Sequence, residues 1–145
     1  MPIRNFHFSQ LASLPLEGVG IHASFSLSLI LKEHDEKHGK KIYLSAHGNS
    51  NAAKANGSGK LLFWCSVINN IDQRKYILNN ETGDSFAAGL DDIIIGSTDF
   101  FMKANKYITP TITIEGGYIL SDYTGQIIPF PGSLKKTIKL QSFTG

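Results

Sequence analysis

Residues 21–31 have the sequence IHASFSLSLIL, in which apolar and polar side chains alternate. The odd positions from Ile21 to Leu31 are all apolar, whereas the even positions up to Ser28 carry serine or histidine. Successive side chains of a β-strand point to opposite faces of a sheet, so this pattern predicts a strand with one buried face. Because the period is two rather than 3.6, the stretch indicates a β protein.

The rest of the chain repeats this pattern in shorter pieces. Segments rich in strand-forming residues are separated by turn-forming residues. The predicted turns lie at 69–70, 82–84, 115–117, 124–125 and 131–132. The chain also has 14 glycines, and helical periodicity is almost absent. We therefore predict an all-β sandwich or barrel of about eleven or twelve short strands.

Length and composition limit the class of protein. The 145 residues, 41% of them hydrophobic, indicate a single folded domain over residues 1–145. The net charge of +2 comes from scattered lysines, so no nucleic-acid partner is predicted. No apolar run reaches the roughly 18 residues of a membrane span, and the N-terminus lacks the apolar core of a signal peptide. We expect a soluble protein, cytoplasmic or released without a signal peptide.

Three segments of the chain align without gaps. They are residues 40–47 (KKIYLSAH), 74–81 (RKYILNNE) and 116–123 (GGYILSDY). Each block has two glycine or basic residues, an Ile/Tyr pair in either order, a leucine, and then serine or asparagine. Internal repetition indicates a repeat architecture with units of about forty residues. It divides the chain into an N-terminal arm at 1–20 and repeats at about 25–64, 65–105 and 106–145.

The repeated block resembles the second-strand signature of β-trefoil proteins such as fascin, hisactophilin and many lectins. The resemblance implies a β-trefoil of three four-stranded units with pseudo-threefold symmetry. It predicts that Leu44, Leu78 and Leu120 are buried at equivalent positions, with one residue of each Ile/Tyr pair pointing inward beside them. The other predicted core residues are Phe25, Leu27, Phe63, Ile112 and Ile114.

A lectin function is predicted from the residues that follow each block. Saccharide sites combine amides and carboxylates, which bind neighbouring hydroxyls, with an aromatic ring that packs on the sugar. Residues 45–56 also resemble the His-, Gly- and Asn-rich loop of mussel-type galactose-binding trefoils, whereas the Gln-x-Trp triplet of ricin-type lectins is absent. The predicted weak, multivalent loop sites are Asp122, Tyr123 and Gln126, then His47, Asn49 and Asn51, then Asn80, Glu81 and Asp84.

Two other classes of binding protein remain open. A β-trefoil protease inhibitor would use an extended exposed loop, for which residues 33–39 and 90–98 are the candidates. A cytokine-like or actin-binding module would use a broad surface, and residues 118–131 resemble the last unit of interleukin-1-type cytokines. The expected partners are therefore glycans or glycoproteins, with a protease or a second copy of the chain as the alternatives.

Catalysis, a metal and a cofactor are not predicted. Cys65 is the only cysteine, and its apolar surroundings in the sequence indicate a core position. Only 18 positions separate it from His47, too few for the strand and crossover helix of a caspase-like dyad. His34 and His38 lie in a charged stretch that predicts a solvated hairpin turn rather than a metal site. The chain is expected to be non-enzymatic.

Overall fold

The structure is a computed structural model of the chain. It describes residues 3–16, 19–50, 59–81, 90–122, 127–129 and 134–142, and side chains within 3–9, 25–49, 62–80, 93–119 and 134–142. Every regular element of these residues is a strand, which confirms the all-β prediction. Among them there is no apolar helix of membrane-spanning length.

Nine strands form two antiparallel sheets in the described residues. They are β1 (Ile3–Leu16), β2 (Val19–Glu36), β3 (Gly39–Ser50), β4 (Gly59–Asn69), β5 (Lys75–Glu81), β6 (Leu90–Lys103), β7 (Thr111–Asp122), β8 (Ile127–Pro129) and β9 (Leu134–Lys139). One sheet, called sheet A, has the order β1-β2-β3-β6. The other, called sheet B, has the order β5-β4-β7-β8, and β9 also pairs with β7.

The core lies between the inner faces of the two sheets. The ring of Phe25 on β2 lies 6.1 Å from that of Phe63 on β4 and 6.0 Å from that of Tyr118 on β7, measured between centroids. The predicted core residues Phe25, Leu27, Phe63, Ile112 and Ile114 are all fully buried. This prediction is confirmed because a period of two directs alternate side chains of a strand to the same face.

The stretch at 21–31 lies in β2, as predicted. Phe25 to Leu31 are buried at every odd position, whereas Ile30 is 39% exposed on the outer face. The strand is longer than the pattern, and it pairs along its length with β1, from Ile3 opposite Lys32 to Leu16 opposite Val19. Residues Ile3–Leu16 of the predicted N-terminal arm therefore form one edge strand of sheet A.

The described residues of the three repeated blocks, apart from Arg74, lie in strands, but their surroundings are unequal. They fall in β3 of sheet A, in β5 at the edge of sheet B, and in β7 inside sheet B. Leu44 is 2% exposed, Leu78 is only partly buried, and the side chain of Leu120 lies outside the described residues. Nine described strands in two sheets do not confirm the three repeats or the β-trefoil, which stay predictions.

Residues 115–117 were expected to form a turn, but they lie inside β7. A Cβ added to Gly116 would lie 3.4 Å from side-chain atoms of Leu27 and Phe25 in the core. A Cβ added to Gly117 would lie 3.3 Å from Nε1 of Trp64 on the outer face. The glycine pair therefore permits close packing on both faces of the strand, which is the other common role of glycine in a sheet.

The two segments expected to be inhibitor loops are strands as well. Residues 90–98 belong to β6, and residues 33–39 comprise the end of β2, a two-residue turn and the start of β3. Glu33 is only 4% exposed because it occupies an inward position of β2. His38 has a φ of 67° in the tight turn, within the left-handed region that turn residues adopt. The hairpin prediction is confirmed, and the prediction of an extended loop is wrong for both segments.

Candidate functional site

The outer face of sheet A carries most of the polar side chains of that sheet, and we call it the polar face. Its residues alternate with buried ones, so they point away from the core. Serine, histidine, asparagine and lysine dominate it, with one exposed tyrosine. The residues used below are His7, Ser28, Ile30, Lys32, Lys41, Tyr43, Ser45, His47, Asn49, Ser97 and Asp99.

A depression of about 400 Å³ lies on this face around Tyr43. Tyr43 is 41% exposed, so a large part of its ring is open to solvent. Strand register places Lys32 on one side of Tyr43 and Asp99 on the other. In the next row, Ser45 lies between Ile30 and Ser97. The lining of the depression therefore comes from three adjacent strands.

The carboxylate of Asp99 is held in place by a neighbouring cation. Lys41 Nζ lies 3.0 Å from Asp99 Oδ2 across the β3–β6 pair. This hydrogen bond raises the pKa of Lys41, so its ammonium group stays charged. The ion pair is exposed and fixes the orientation of the carboxylate more than it stabilises the fold. It leaves an oriented hydrogen-bond acceptor at the rim of the depression.

A row of polar side chains crosses the same face farther along the strands. Ser28 of β2 lies between His7 of β1 and His47 of β3 in the strand register. The Oγ atom of Ser28 is 3.0 Å from Nδ1 of His7. These groups extend the hydrogen-bonding surface of the polar face beyond the depression.

The predicted first-unit site is only partly placed by the structure. His47 and Asn49 lie within β3 on the polar face, not in a loop after it. Both therefore share a face with Tyr43, because odd residues of β3 point outward. Asn51 lies outside the described residues, so its place in this site stays a prediction.

The second predicted site has a structural residue in it. Asn80 Nδ2 donates a hydrogen bond of 2.6 Å to the carbonyl oxygen of Ile94. This bond joins β5 and β6, the edge strands of the two sheets, so the Asn80 amide is used within the fold. Glu81 ends β5, but its side chain and all of Asp84 lie outside the described residues.

The third predicted site lies almost entirely outside the description. Asp122 is the last residue of β7, and its side chain is not described. Tyr123 and Gln126 fall in the undescribed segment that follows. β3, β5 and β7 end on the same side of the molecule. Within sheet B, β4 is antiparallel to both β5 and β7. Between the sheets, β5 runs antiparallel to β6, as the contacts of Tyr76 with Phe100 and of Asn80 with Ile94 show, and β6 is antiparallel to β3.

The structure does not bring Cys65 and His47 together. Cys65 faces the core from β4 and is fully buried, and burial raises the pKa of its thiol to about 12. His47 points outward from β3 in the other sheet. The thiol is therefore protonated at neutral pH and separated from the imidazole by the core.

Sequence reasoning missed Tyr43, Lys32 and Asp99, although one signal was available for the tyrosine. In the first block the order is Ile-Tyr, so Ile42 points inward with Leu44 and leaves Tyr43 outside. In the third block the order is Tyr-Ile, and Tyr118 is fully buried. The order of the pair therefore predicts which block exposes a tyrosine.

Comparison with known proteins adds no relative to this description. No protein-family model matches the chain, and no curated protein or solved structure matches it either.

Proposed function

We propose that this chain is a non-enzymatic carbohydrate-binding protein, a lectin, and that its site includes the depression around Tyr43. The single observation that supports it most is the 41% exposed Tyr43 ring, which lies between Lys32 and Asp99 in the strand register. An exposed aromatic ring beside oriented polar groups suits the two chemically different faces of a sugar.

Each polar group of the depression matches a part of a saccharide. The Asp99 carboxylate accepts hydrogen bonds from hydroxyl groups, and its ion pair with Lys41 limits the number of orientations that it samples. The ammonium group of Lys32 donates hydrogen bonds to ring or hydroxyl oxygens. Ser45 and Ser97 both donate and accept, so they suit hydroxyl groups of either orientation.

The expected affinity of one site is weak. The depression is shallow and open, and each hydrogen bond to a neutral sugar contributes only about 1 kcal/mol after desolvation. A single-site Kd on the order of 10 μM to 1 mM follows. Multivalent glycans should therefore bind much more tightly than monosaccharides.

The proposal does not depend on the three-repeat β-trefoil, which stays a prediction. It also does not depend on the loop sites at Asp122, Tyr123 and Gln126. Those loop sites would add valency to the same protein, and removing them would leave the Tyr43 depression intact.

Glycan-array screening of the whole chain, followed by titration of the best glycan, tests the proposal. Tyr43→Ala should weaken binding about tenfold or more, whereas Tyr43→Phe should retain most of it because the ring remains. Tyr107→Ala is the matched control, since Tyr107 is 83% exposed and lies in the loop after β6. Asp99→Asn should weaken binding less than Tyr43→Ala, because the amide keeps one acceptor.

Two results would overturn the proposal. If the parent chain binds no glycan on the array, the lectin function is wrong. If it binds a glycan and folded Tyr43→Ala binds with the same Kd, the depression is not the site, and attention moves to Asp122 and Tyr123.

A further inference from the structure

Three chain connections meet at one end of the molecule, opposite the ends of β3, β5 and β7. They are the turn at 37–38, the turn at 70–74 and the loop at 104–110. The turn at 37–38 lies beside the loop at 104–110, because Gly39 pairs with Lys103 and Ala104 N donates a hydrogen bond of 3.2 Å to His38 O. The turn at 70–74 is joined to the end of the loop at 104–110 by a hydrogen bond of 3.0 Å from Asn70 Nδ2 to Thr111 Oγ1.

This end has a surplus of exposed cations, and we call it the basic end. It comprises Lys37, Arg74, Lys75, Lys103, Lys106 and Lys139, all exposed. Arg74 lies near Asp72, but none of the five lysines forms an ion pair with a described acidic side chain. Of the nearby carboxylates, those of Glu33, Asp35 and Asp99 are paired with Arg4, Lys40 and Lys41, and that of Glu36 lies near His34, so the cations of this end outnumber its carboxylates. The surplus charge therefore faces solvent.

Large apolar side chains are exposed at the tips of the same connections. Tyr107 is 83% exposed, Ile108 is 51% exposed and Ile71 is 39% exposed. The tips are held by local hydrogen bonds: Asn105 Oδ1 accepts from Tyr107 N at 2.8 Å, and Asn69 Oδ1 accepts from Ile71 N at 2.9 Å. These turns therefore hold three large apolar side chains in water at the same end of the molecule as the surplus lysines.

We propose that the basic end docks onto the surface of an anionic phospholipid bilayer. The lysines would contact lipid phosphate and carboxylate groups, and their aliphatic stems allow them to lie along the interface. Tyr107, Ile108 and Ile71 would enter the region between head groups and acyl chains, where amphipathic aromatic and aliphatic side chains are favoured. The two signals act together, since a basic patch or a few apolar side chains alone bind a membrane weakly and reversibly.

The apolar tips favour a bilayer over a nucleic acid or another soluble polyanion. A soluble polyanion would contact the lysines, and the bases of a nucleic acid would stack on Tyr107, but neither partner would gain from contact with an isoleucine side chain. Ile71 and Ile108 therefore distinguish the two kinds of partner. The surface is also separate from the Tyr43 depression, so glycan binding and membrane docking are tested independently.

Co-sedimentation of the whole chain with lipid vesicles tests the proposal. Phosphatidylcholine vesicles with about 30% phosphatidylserine should bind the chain, and pure phosphatidylcholine vesicles should bind it much less. Lys103→Gln with Lys106→Gln should weaken binding about 30-fold. Ile71→Ser with Ile108→Ser should weaken it about tenfold.

Matched controls distinguish the basic end from general surface charge and apolarity. Lys135→Gln with Lys136→Gln removes two exposed lysines of β9, and Ile77→Ser with Ile94→Ser removes two isoleucines of β5 and β6 that are 63% and 64% exposed. Neither pair should change vesicle binding by more than about twofold, because none of these four residues belongs to the three connections or to the cations that define the basic end. Tyr43→Ala should also leave vesicle binding unchanged. Each variant is first confirmed to unfold at the parent's denaturant midpoint.

Three outcomes would overturn the proposal. The first is a parent chain that does not bind the anionic vesicles. The second is that Ile71→Ser with Ile108→Ser leaves vesicle binding unchanged, while Lys103→Gln with Lys106→Gln weakens binding to heparin or duplex DNA as much as binding to vesicles. That result would assign the basic end to soluble polyanions. The third is that a control double variant weakens vesicle binding as much as the corresponding double variant of the basic end.

Discussion

The middle of the core is apolar, whereas the end of the core beside the turn at 37–38 is charged. In the middle, Phe25, Phe63 and Tyr118 pack ring against ring. At the charged end, Glu33 and Lys40 occupy inward positions and are 4% and 1% exposed. Both regions use the same inward faces of β2 and β3, so strand alternation alone does not distinguish them.

The charged end is a network rather than an isolated pair. Glu33 Oε2 lies 2.5 Å from Arg4 Nη2, and Glu33 Oε1 lies 3.5 Å from Lys40 Nζ. Lys40 Nζ also lies 2.6 Å from Asp35 Oδ1. Gln141 N donates to Glu33 Oε1 at 2.9 Å, which ties the C-terminal segment to sheet A. Burial of these charges is tolerated because each has several partners.

The comparison shows that an inward position specifies burial but not chemistry. An apolar side chain in the middle gains from burial by itself. A charged side chain at the end is retained only with its partners, which come from β1, β3 and the segment after β9. The effects of mutations on the free energy of unfolding should therefore be non-additive in both regions, but for different reasons.

The largest effect is expected in the apolar middle. Phe63→Ala should lower the free energy of unfolding by about 3 to 5 kcal/mol, because the cavity removes contacts with two aromatic rings. Phe101→Ala is the control, since Phe101 is 40% exposed and should cost less than about 1 kcal/mol. Urea unfolding measures both. Equal losses for the two variants would contradict the proposed core.

Glu33→Gln should have the next largest effect, a loss of about 2 to 3 kcal/mol in the same measurement. The amide keeps the size of the side chain but removes one of the two carboxylates that lie beside the buried Lys40 ammonium, so that Asp35 alone compensates it among the described residues. The double variant Glu33→Gln with Lys40→Met should be more stable than Glu33→Gln alone, because it removes a buried charge that has lost one of its two carboxylate partners. Losses that simply add would show that the two residues are not coupled.

Arg4→Ala should cost about 1 kcal/mol, less than Glu33→Gln. The Arg4 side chain is 30% exposed, and when it is removed Glu33 still has Lys40 and Gln141 N as partners. A loss as large as that of Glu33→Gln would make Arg4 the principal partner of the carboxylate. Thermal unfolding at several salt concentrations would add a check, since only a solvent-accessible pair weakens with salt.

The smallest effect at neutral pH is expected at Cys65, where the apolar middle opposes ionisation. Burial raises the pKa of this thiol from 9.0 to about 12, so the unfolded chain loses the proton first as the pH rises. The contribution of Cys65 is complete below about pH 9 and is lost between about pH 9 and 12, by roughly 1.4 kcal/mol per unit.

The measurement for Cys65 is the pH dependence of unfolding, compared between the parent chain and Cys65→Ala. The alanine variant should show a shallower decline over that range. Reaction with a thiol reagent at pH 8 provides a second check, since the folded chain should react only as fast as it opens. Rapid labelling of the folded chain would show that Cys65 is accessible.

The core was largely predictable from the sequence, and the candidate site was not. Inward residues such as Phe25 and Ile112 follow from a local period of two, which needs no knowledge of strand partners. Lys32, Tyr43 and Asp99 meet only through the β2–β3 and β3–β6 registers, although they are far apart along the chain. The predicted turn at 115–117 failed because glycine serves close packing as readily as chain reversal.

The sequence by itself determined the all-β class and the inward and outward sides of the strands with clear alternation. Only the tertiary structure decided that the strands form two sheets, that Glu33 and Lys40 are buried together, and that scattered lysines gather at one end. The reason is physical: alternation depends on neighbouring residues, whereas pairing brings together residues that are distant along the chain.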